Sequence, residues 1–428
     1  MKSKYAIALA ISMITLGTFA QKDELKALEK ALKSTDDQMI KTSLANAQNV
    51  IANGTDVEKS QFYLLKGNAL VALSSRSADK GEKLIEAAKS YQEVLELEKK
   101  LGKTKFTTQA QTSLATVQGS LIDEAIKDNT AKRFKQGTQK LIEAYNINKQ
   151  DTIYLYYAAN GAINAADYDT ALDYYDKLKK LNYSGINIIY YATEKSTGEE
   201  VSFDSKSERD LFVRAGSHEK PREQKSKSVR SEVYRNRSLI LVEKGNIDEA
   251  LLEVQTARKL FPKETEFVLL EADFYNRKGD MVNYLKIIKE ASNNNPLDAD
   301  LVYNLGVASL KLDKKEDAIN YFNKTIEMKS DYVNAYINLA NLKVEEQTKI
   351  FEVMEKLGNS SADNKKYNEL MDKKTELLKE ALPYLEKALS YQNDNLDVLN
   401  LMIQIYPALG MDEQYKEVKS KISKIENN

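Results

Sequence analysis

The residue types that most often do chemistry in enzymes are scarce in this sequence. Among its 428 residues there is no Cys and a single His, His218. A chain without Cys has no disulfide, no thiolate metal ligand and no Cys nucleophile, and one His is too few for a multi-histidine metal site. His218 lies in a Lys- and Arg-rich stretch with no recognisable Ser or Asp partner. We therefore interpret it as incidental rather than catalytic.

Acidic pairs occur where helices are predicted to begin, at Asp167 with Asp169 and at Asp298 with Asp300. Carboxylates at such positions cap helix N-termini, which explains these pairs better than metal binding or acid–base catalysis. The sequence also lacks a glycine-rich phosphate loop and the HExxH, GxSxG and CxxC motifs. We predict a non-enzymatic protein with no catalytic residue, cofactor or metal. An enzyme that uses two carboxylates, such as a glycosidase, is a competing hypothesis.

The elements that would have to position any binding site are predicted to be helices. The chain has only 16 Gly and 5 Pro, and 42% of its residues are hydrophobic. Scarce helix breakers favour helices over sandwiches and barrels, which need frequent Gly and Pro turns. The formal net charge is −1, so the sequence lacks the basic footprint typical of nucleic-acid binding.

The first twenty residues are typical of a secretory signal peptide. Lys2 and Lys4 precede a short apolar run that ends at Thr18-Phe19-Ala20. This pattern predicts cleavage after Ala20 and an extracytoplasmic, periplasmic location for the mature chain. The apolar run is short for a bilayer span, and we predict no transmembrane span elsewhere.

Small residues and turn residues recur with a period of 34. Gly306 has Ala272 and Ala340 at 34 residues on either side, and a second small residue, Ala318, follows it by twelve. Pro262 and Pro296 are 34 apart, as are Gly245 and Gly279. A fixed period of this length indicates a repeat of one helix pair per unit, in which stacked neighbours bury a shared core.

These residues resemble the tetratricopeptide repeat family. The best unit, Ala299–Tyr332, carries Leu305-Gly306, Ala318 and Phe322. Units in the same phase also begin at Ser231, Thr265 and Val333. Upstream, further units fit from Thr152 and from Gln118. A unit also fits from Ser60 if seven residues are inserted in the turn between its two helices. The resemblance implies an all-α, right-handed α-solenoid of helix pairs, and it extends to secreted tetratricopeptide proteins of Bacteroidota-like bacteria. Two further helices are predicted at the N-terminus, with Asp23 and Asp36 as N-caps, and a polar helix from Asp412 is predicted at the C-terminus.

One insertion, residues 186–230, separates two repeat arrays, 21–185 and 231–428. Ile186–Thr193 and Val201–Phe203 predict a β-hairpin, and Ser205 is expected to cap a short helix, Lys206–Arg214. A lone two-stranded hairpin is marginal in water, so we expect it to pack on the solenoid or on a partner. The basic stretch Ser217–Arg230 is interpreted as a solvated loop or, alternatively, as a contact for an anionic partner.

A second insertion, about residues 344–377, interrupts the unit that begins at Val333. Apolar residues recur along it at helical spacing on both sides of the turn Gly358–Ser361. This predicts that both helices of the unit extend into a projecting antiparallel hairpin. The residues expected to pair in its seam are Phe351, Met354, Leu357, Tyr367, Leu370 and Leu377.

The resemblance implies a binding groove lined by the first helix of each unit. Carried over position by position, the candidate partner-binding residues are Tyr156, Asn160, Arg235, Asn236, Asp273, Arg277, Tyr303, Asn304, Asn338 and Asn341, with Leu239, Val307 and Ile337 beside them. Asn and Tyr side chains suit the backbone amides of an extended peptide, although Asn at the sixth position of a unit is also ordinary for the family.

The function expected from these features is a scaffold or adaptor in the bacterial cell envelope that binds a protein or an extended peptide in a concave groove. The alternative is an envelope protein that binds glycan or cell wall. Sugar-binding envelope proteins with such helices use a lipidated Cys and Trp-rich platforms, and this chain has neither residue.

Overall fold

The computed structural model describes residues 21–34 and 36–427. Within these residues most of the chain is helical, and three short strands form one small sheet. The predicted all-α class is therefore confirmed. The predicted signal peptide, residues 1–20, lies outside the described residues. The chain divides into two compact units, a first unit, Met1–Lys244, and a second unit, Gly245–Asn428.

The helices of the first unit begin with α1, which is helical over residues 21–31. The others are α2 (Asp37–Val50), extended by a 3-10 turn (Ile51–Asn53), α3 (Asp56–Ser74), α4 (Lys80–Leu101), α5 (Thr107–Thr130), α6 (Phe134–Ile147), α7 (Thr152–Asn164), α8 (Tyr168–Lys180), α9 (Lys206–Arg214) and α10 (Arg230–Glu243). From α2 to α8 each helix packs on the next, and α8 then packs on α10.

The second unit continues the helix pairs. Its helices are α11 (Ile247–Leu260), α12 (Glu266–Lys278), α13 (Met281–Asn294), α14 (Ala299–Lys311), α15 (Lys315–Met328), α16 (Val333–Met354), α17 (Ser361–Tyr391), α18 (Leu396–Ala408) and α19 (Asp412–Glu426). Each of these helices packs on the next one along the chain. Because the helices pack mainly on their neighbours along the solenoid, the core of the described residues is a series of small clusters rather than one centre.

The small residues of the period lie where the two helices of a pair approach closely. A Cβ added at Gly306 would lie 2.5 Å from the ring of Phe322, and one added at Gly67 would lie 2.5 Å from the ring of Tyr91. Both rings are buried. A larger side chain at either glycine would therefore overpack the pair, which typically costs about 1–3 kcal/mol.

The turn within each pair shows the 34-residue period in the backbone. Lys132 and Ala166 have positive φ, as do Gly245, Gly279 and Asp313. Lys132 and Ala166 are 34 residues apart, and so are successive members of Gly245, Gly279 and Asp313. The step of 79 residues from Ala166 to Gly245 equals one period of 34 plus the 45 residues of insertion 186–230. The insertion therefore adds chain between two repeats and leaves the phase of the repeat intact.

Two predicted boundaries near the N-terminus are wrong. The unit expected to begin at Gln118 begins with α5 at Thr107, because the buried carboxylate of Glu98 accepts the backbone N–H groups of Phe106 and Thr107 at 2.9 and 2.8 Å. The seven residues expected in the turn of the Ser60 unit instead lengthen its helices, which contain 19 and 22 residues.

The predicted helix caps are partly confirmed. The side chain of Asp36 accepts the N–H groups of Gln38 and Met39, as an N-cap does. Asp23 is not an N-cap, because the chain is already helical at residues 21 and 22. At the other end, α19 buries Val418 and Ile422, with Tyr415 and Ile425 half-buried beside them, and most of its Lys and Glu side chains are exposed, as expected of a polar outer face.

Insertion 186–230 forms a small α/β substructure. Strand β1 (Ile188–Glu194) pairs antiparallel with β2 (Glu200–Phe203), which confirms the predicted hairpin. Ser205 caps α9 through the N–H of Glu208 at 3.1 Å, also as predicted. The interpretation of Ser217–Arg230 as a loop is wrong, because β3 (His218–Lys225) pairs with the other side of β1.

The insertion is stabilised by its own helix. Arg209 of α9 is buried; its guanidinium lies 5.5 Å from the ring centre of Tyr190 and donates to the carbonyl of Arg222 at 3.2 Å. His218 packs edge-on against Phe203 and Phe212, with ring centres 5.4 and 5.3 Å apart. A third strand and a packed helix supply the contacts that a lone hairpin lacks.

The second insertion forms the predicted helical hairpin. Helix α16 contains 22 residues and α17 contains 31, whereas α14 and α15 contain 13 and 14. The seam is formed by Ile350, Met354 and Leu377, with Leu370 half-buried beside them. Phe351 and Tyr367 were expected in the seam but are exposed, because each lies about a quarter-turn away from the face that the seam residues share.

Candidate functional site

Helix α10 takes the place that the next repeat would occupy beside α7 and α8. The two ends of insertion 186–230 are tied together, since the N–H of Val229 donates to the carbonyl of Ser184 at 2.8 Å. Val233 and Ile240 of α10 then join the buried cluster around Tyr175. The first helices of two successive repeats, α7 and α10, thus come together although 65 residues separate them in the chain.

A tyrosine hydroxyl connects these two first helices. Tyr175 of α8 is fully buried, donates its hydroxyl to Oδ1 of Asn160 on α7 and accepts Nδ2–H of Asn236 on α10 at 3.0 Å. Burial raises the pKa of Tyr175 far above its usual value, so the hydroxyl stays protonated as the donor that this network needs. Two of the predicted groove asparagines therefore share one buried partner.

A second hydroxyl extends the network. Tyr156 of α7 donates to Oε2 of Glu232 on α10 at 2.7 Å, and its ring lies 5.6 Å from that of Tyr183. Burial, followed by the bond to Glu232, raises the pKa of Tyr156. Arg235 is half-buried on α10, and its Nε lies 3.4 Å from Oδ1 of Asn236.

A cleft of about 370 Å³ opens above this network, between α7 and α10. Its lining combines tyrosines and aliphatic side chains with three asparagines and two glutamates, and it consists of Tyr156, Asn160, Ile163, Asn164, Tyr168, Glu232, Asn236, Leu239, Ile240 and Glu243. The structure thus brings together three of the ten predicted site residues, and Leu239 with them. We call this site the α7–α10 cleft.

The predicted residues of α14 and α16 form a different contact. Asn338 donates Nδ2–H to the hydroxyl of Tyr303 at 3.0 Å and to the carbonyl of Asn334 at 3.0 Å. The ring of Tyr303 packs on Tyr332 and Phe322, with centres 4.9 and 5.6 Å away. These side chains hold neighbouring repeats together. Asn338 therefore has a structural role here, consistent with Asn being ordinary at the sixth position of a repeat unit.

The other predicted residues of the second unit do not converge on a cleft. Arg277 donates to Asp273 at 2.8 Å within α12, so these two charges neutralise each other. Asn304 of α14 and Asn341 of α16 form no side-chain hydrogen bond to any other residue that the structure describes. Val307 and Ile337 are half-buried in the packing around them.

Sequence reasoning missed part of the cleft. The predicted site residues did not include Tyr175, Glu232 or Glu243. A signal for Tyr175 was present, because the equivalent residue of the best unit is Phe322 and a Tyr in the same place brings a hydroxyl that must find partners. The two glutamates carried no such signal, since charged residues are frequent on every helix of this chain.

The described residues contain neither of two features that would change the class of protein. No three His, Cys, Asp or Glu side chains among residues 21–34 and 36–427 are grouped closely enough to hold a metal ion. No helix in the same ranges is long and apolar enough to cross a membrane.

The helix pairs, their 34-residue phase and the glycine–aromatic contacts define the class: the chain is an all-α repeat protein with tetratricopeptide-like units.

No family model matches the sequence, and no curated protein matches it. Among solved structures, it is similar to a crystal structure of MamA at 18% identity, covering 46% of this chain and 92% of that one with a TM-score of 0.34. It is also similar to YrrB, described as a TPR protein with an unusual peptide-binding site, at 18% identity, 50% and 88% coverage and a TM-score of 0.32.

A further likeness is to MamA from Desulfovibrio magneticus RS-1, at 14% identity, with 50% of this chain and 96% of that one covered and a TM-score of 0.33. These likenesses are distant and concern the arrangement of helices. The assignment of the class rests on the helix pairs themselves.

Proposed function

We propose that this chain is a non-enzymatic interaction scaffold and that the α7–α10 cleft binds an extended segment of a partner protein. The observation that carries the proposal is the lining of the cleft. Apolar side chains such as Ile163 and Leu239 lie beside the amide groups of Asn160, Asn164 and Asn236. Apolar contacts can supply affinity for side chains, while amides can pair with a peptide backbone, and this division of labour is common in peptide recognition.

The charge of the cleft indicates what kind of segment fits. Its ten lining residues include Glu232 and Glu243 and no Lys or Arg. These two glutamates lie eleven residues apart on α10, which corresponds to about 16 Å along a helix. An extended peptide covers that distance in about five residues. We therefore expect the segment to carry two basic residues at about that spacing, since complementary charge favours encounter and register.

Selection from a displayed random-peptide library tests this proposal without a known partner. We expect the purified chain to enrich peptides with paired Lys or Arg residues. Leu239→Arg places a bulky cation in the cleft and should weaken the binding of a selected peptide at least tenfold, because it blocks the apolar lining and repels basic side chains.

The matched control is Leu252→Arg, which alters a leucine on α11 that is 66% exposed and is not among the lining residues of the cleft. This change should leave binding unchanged. Equal loss in both variants, or equal binding by both, would move the site away from the α7–α10 cleft. Binding of soluble cell-wall glycans that Leu239→Arg abolishes, with no peptide enriched, would favour the glycan-binding alternative.

We further propose that the scaffold works outside the cytoplasm, in the cell envelope. The basic start and short apolar run of residues 1–20 support this proposal. Mass spectrometry of the chain recovered from the producing cell tests it, with an expected N-terminus at Gln21. Recovery of an intact Met1 from the cytoplasm would contradict the proposal and leave the cleft argument untouched.

A further inference from the structure

The hairpin formed by residues 344–377 of α16 and α17 has an exposed apolar side, which we call the arm patch. It consists of Phe351, Tyr367 and Met371, which are 43%, 42% and 39% exposed. Tyr367 and Met371 lie one turn apart on α17. Lys374, a further turn along, lies with its Nζ 5.0 Å from the ring centre of Phe351 on α16. The three apolar side chains therefore share one side of the arm.

The opposite side of the arm differs from the patch. Ion pairs link the two helices there, as between Lys373 and Glu346 at 3.4 Å. Val353 lies two residues from Phe351, which places it on the other side of the same helix, and it has no large apolar neighbour of comparable exposure there. Exposed apolar residues grouped on one side of an element mark an interaction surface more often than scattered ones do.

The charges next to the arm patch are complementary to each other. Glu355 lies one turn beyond Phe351 toward the tip of the arm, and Lys374 lies about one turn after Met371, away from the tip. Neither side chain forms an ion pair with another described residue. At 1.5 Å of rise per residue, Glu355 is about 6 Å beyond Phe351 and Lys374 is about 4.5 Å beyond Met371, in opposite directions along the arm.

We propose that the arm patch is the interface of a homodimer. A two-fold axis through the middle of the patch would turn the arms antiparallel and place Phe351 and Met371 against the same residues of a second copy. The same rotation would bring Glu355 of each copy opposite Lys374 of the other. A surface that is self-complementary in this way is what an isologous two-fold contact requires, and it selects a second copy of this chain over an unrelated partner.

The proposal is tested by charge reversal, measured by sedimentation equilibrium of the full chain. Glu355→Lys and Lys374→Glu should each weaken the dimer at least tenfold, because each creates like charges across the axis. The double variant restores the opposite charges and should recover most of the affinity. Both positions are on the surface of the arm, so loss of folding does not confound the result, and circular dichroism verifies this.

The lack of Cys in the chain provides a second readout. Met371→Cys places one thiol near the axis and should give a disulfide-linked dimer under mild oxidation. Val353→Cys, at a similarly exposed site on the other side of the arm (44% exposed), should not. Phe351→Glu should leave a monomer.

A chain that stays monomeric at high micromolar concentration overturns the proposal. It is also overturned if the double charge reversal fails to restore association, because the surface would then fit some other partner. None of these outcomes depends on peptide binding in the α7–α10 cleft.

Discussion

Two junctions between repeats use the same type of residue in different ways. In the first unit, Asn236 reaches the hydroxyl of Tyr175 on the second helix of the preceding repeat. In the second unit, Asn338 occupies the same repeat position but reaches the hydroxyl of Tyr303, on the preceding first helix. Two differences in sequence accompany this: Phe322 stands where Tyr175 would be and has no hydroxyl, and Tyr156, the counterpart of Tyr303, donates instead to Glu232, where the second unit has Asn334.

This difference changes what the groove side of each junction exposes. In the first unit the hydroxyl comes from Tyr175 on the second helix, α8, and is also bound by Asn160. The space between α7 and α10 is open as a cleft. Where Tyr303 supplies the hydroxyl, the tyrosine ring itself lies between Phe322 and Tyr332. The first junction thus has a cleft lined by asparagines, whereas the second has a tyrosine ring packed between two other aromatic rings.

The largest effect is expected when either ring is removed. Tyr175→Ala and Phe322→Ala should each reduce the free energy of unfolding by about 3–5 kcal/mol, because both rings are fully buried and their loss leaves a cavity. Urea unfolding followed by circular dichroism measures the loss. A cost below about 1 kcal/mol at one site only would show that the two positions are not equivalent in packing.

A smaller effect is expected when only the hydroxyl of Tyr175 is removed. Tyr175→Phe keeps the ring but leaves Asn160 and Asn236 without their shared partner, which should cost about 1–2 kcal/mol. Hydrogen–deuterium exchange should show faster opening of α10, whose Asn236 loses its connection to α8. The matched control is Tyr145→Phe. It also removes a tyrosine hydroxyl from the first unit, but this hydroxyl makes no hydrogen bond within the described chain. Equal exchange in both variants would mean that the hydroxyl does not hold α10.

Most of the fold could be predicted because the repeat is coded by local residues. A small side chain such as Gly306 and an aromatic one such as Phe322 recur at fixed spacing, so helix pairing is visible in the sequence. Strand β3 was missed because its residues are charged and lack apolar alternation. It is held instead by backbone pairing with β1 and by Arg222, whose guanidinium lies 4.1 Å from the ring centre of Tyr191.

The candidate site was less predictable for a related reason. The first helices and their asparagines follow from the repeat pattern, but the partner of each asparagine does not. Tyr175 lies 61 residues before Asn236, and only the closed base of the insertion brings them within a hydrogen bond. The start of α5 has the same origin, since its N-terminal amides are bound by Glu98 of another helix.

The smallest effect is expected from adding the hydroxyl where it is missing. In Phe322→Tyr, the two N–H groups of Asn338 are already donated to Tyr303 and to the carbonyl of Asn334, and Val307 stands where Asn160 accepts in the first unit. The new hydroxyl would thus lack the acceptor that Tyr175 has, and we expect a loss of about 1 kcal/mol. Adding Val307→Asn supplies the missing acceptor, so the double variant should be at least as stable as Phe322→Tyr, measured by urea unfolding. If Val307→Asn instead adds its own separate cost to that of Phe322→Tyr, the two junctions do not share one geometry, and the comparison between them fails.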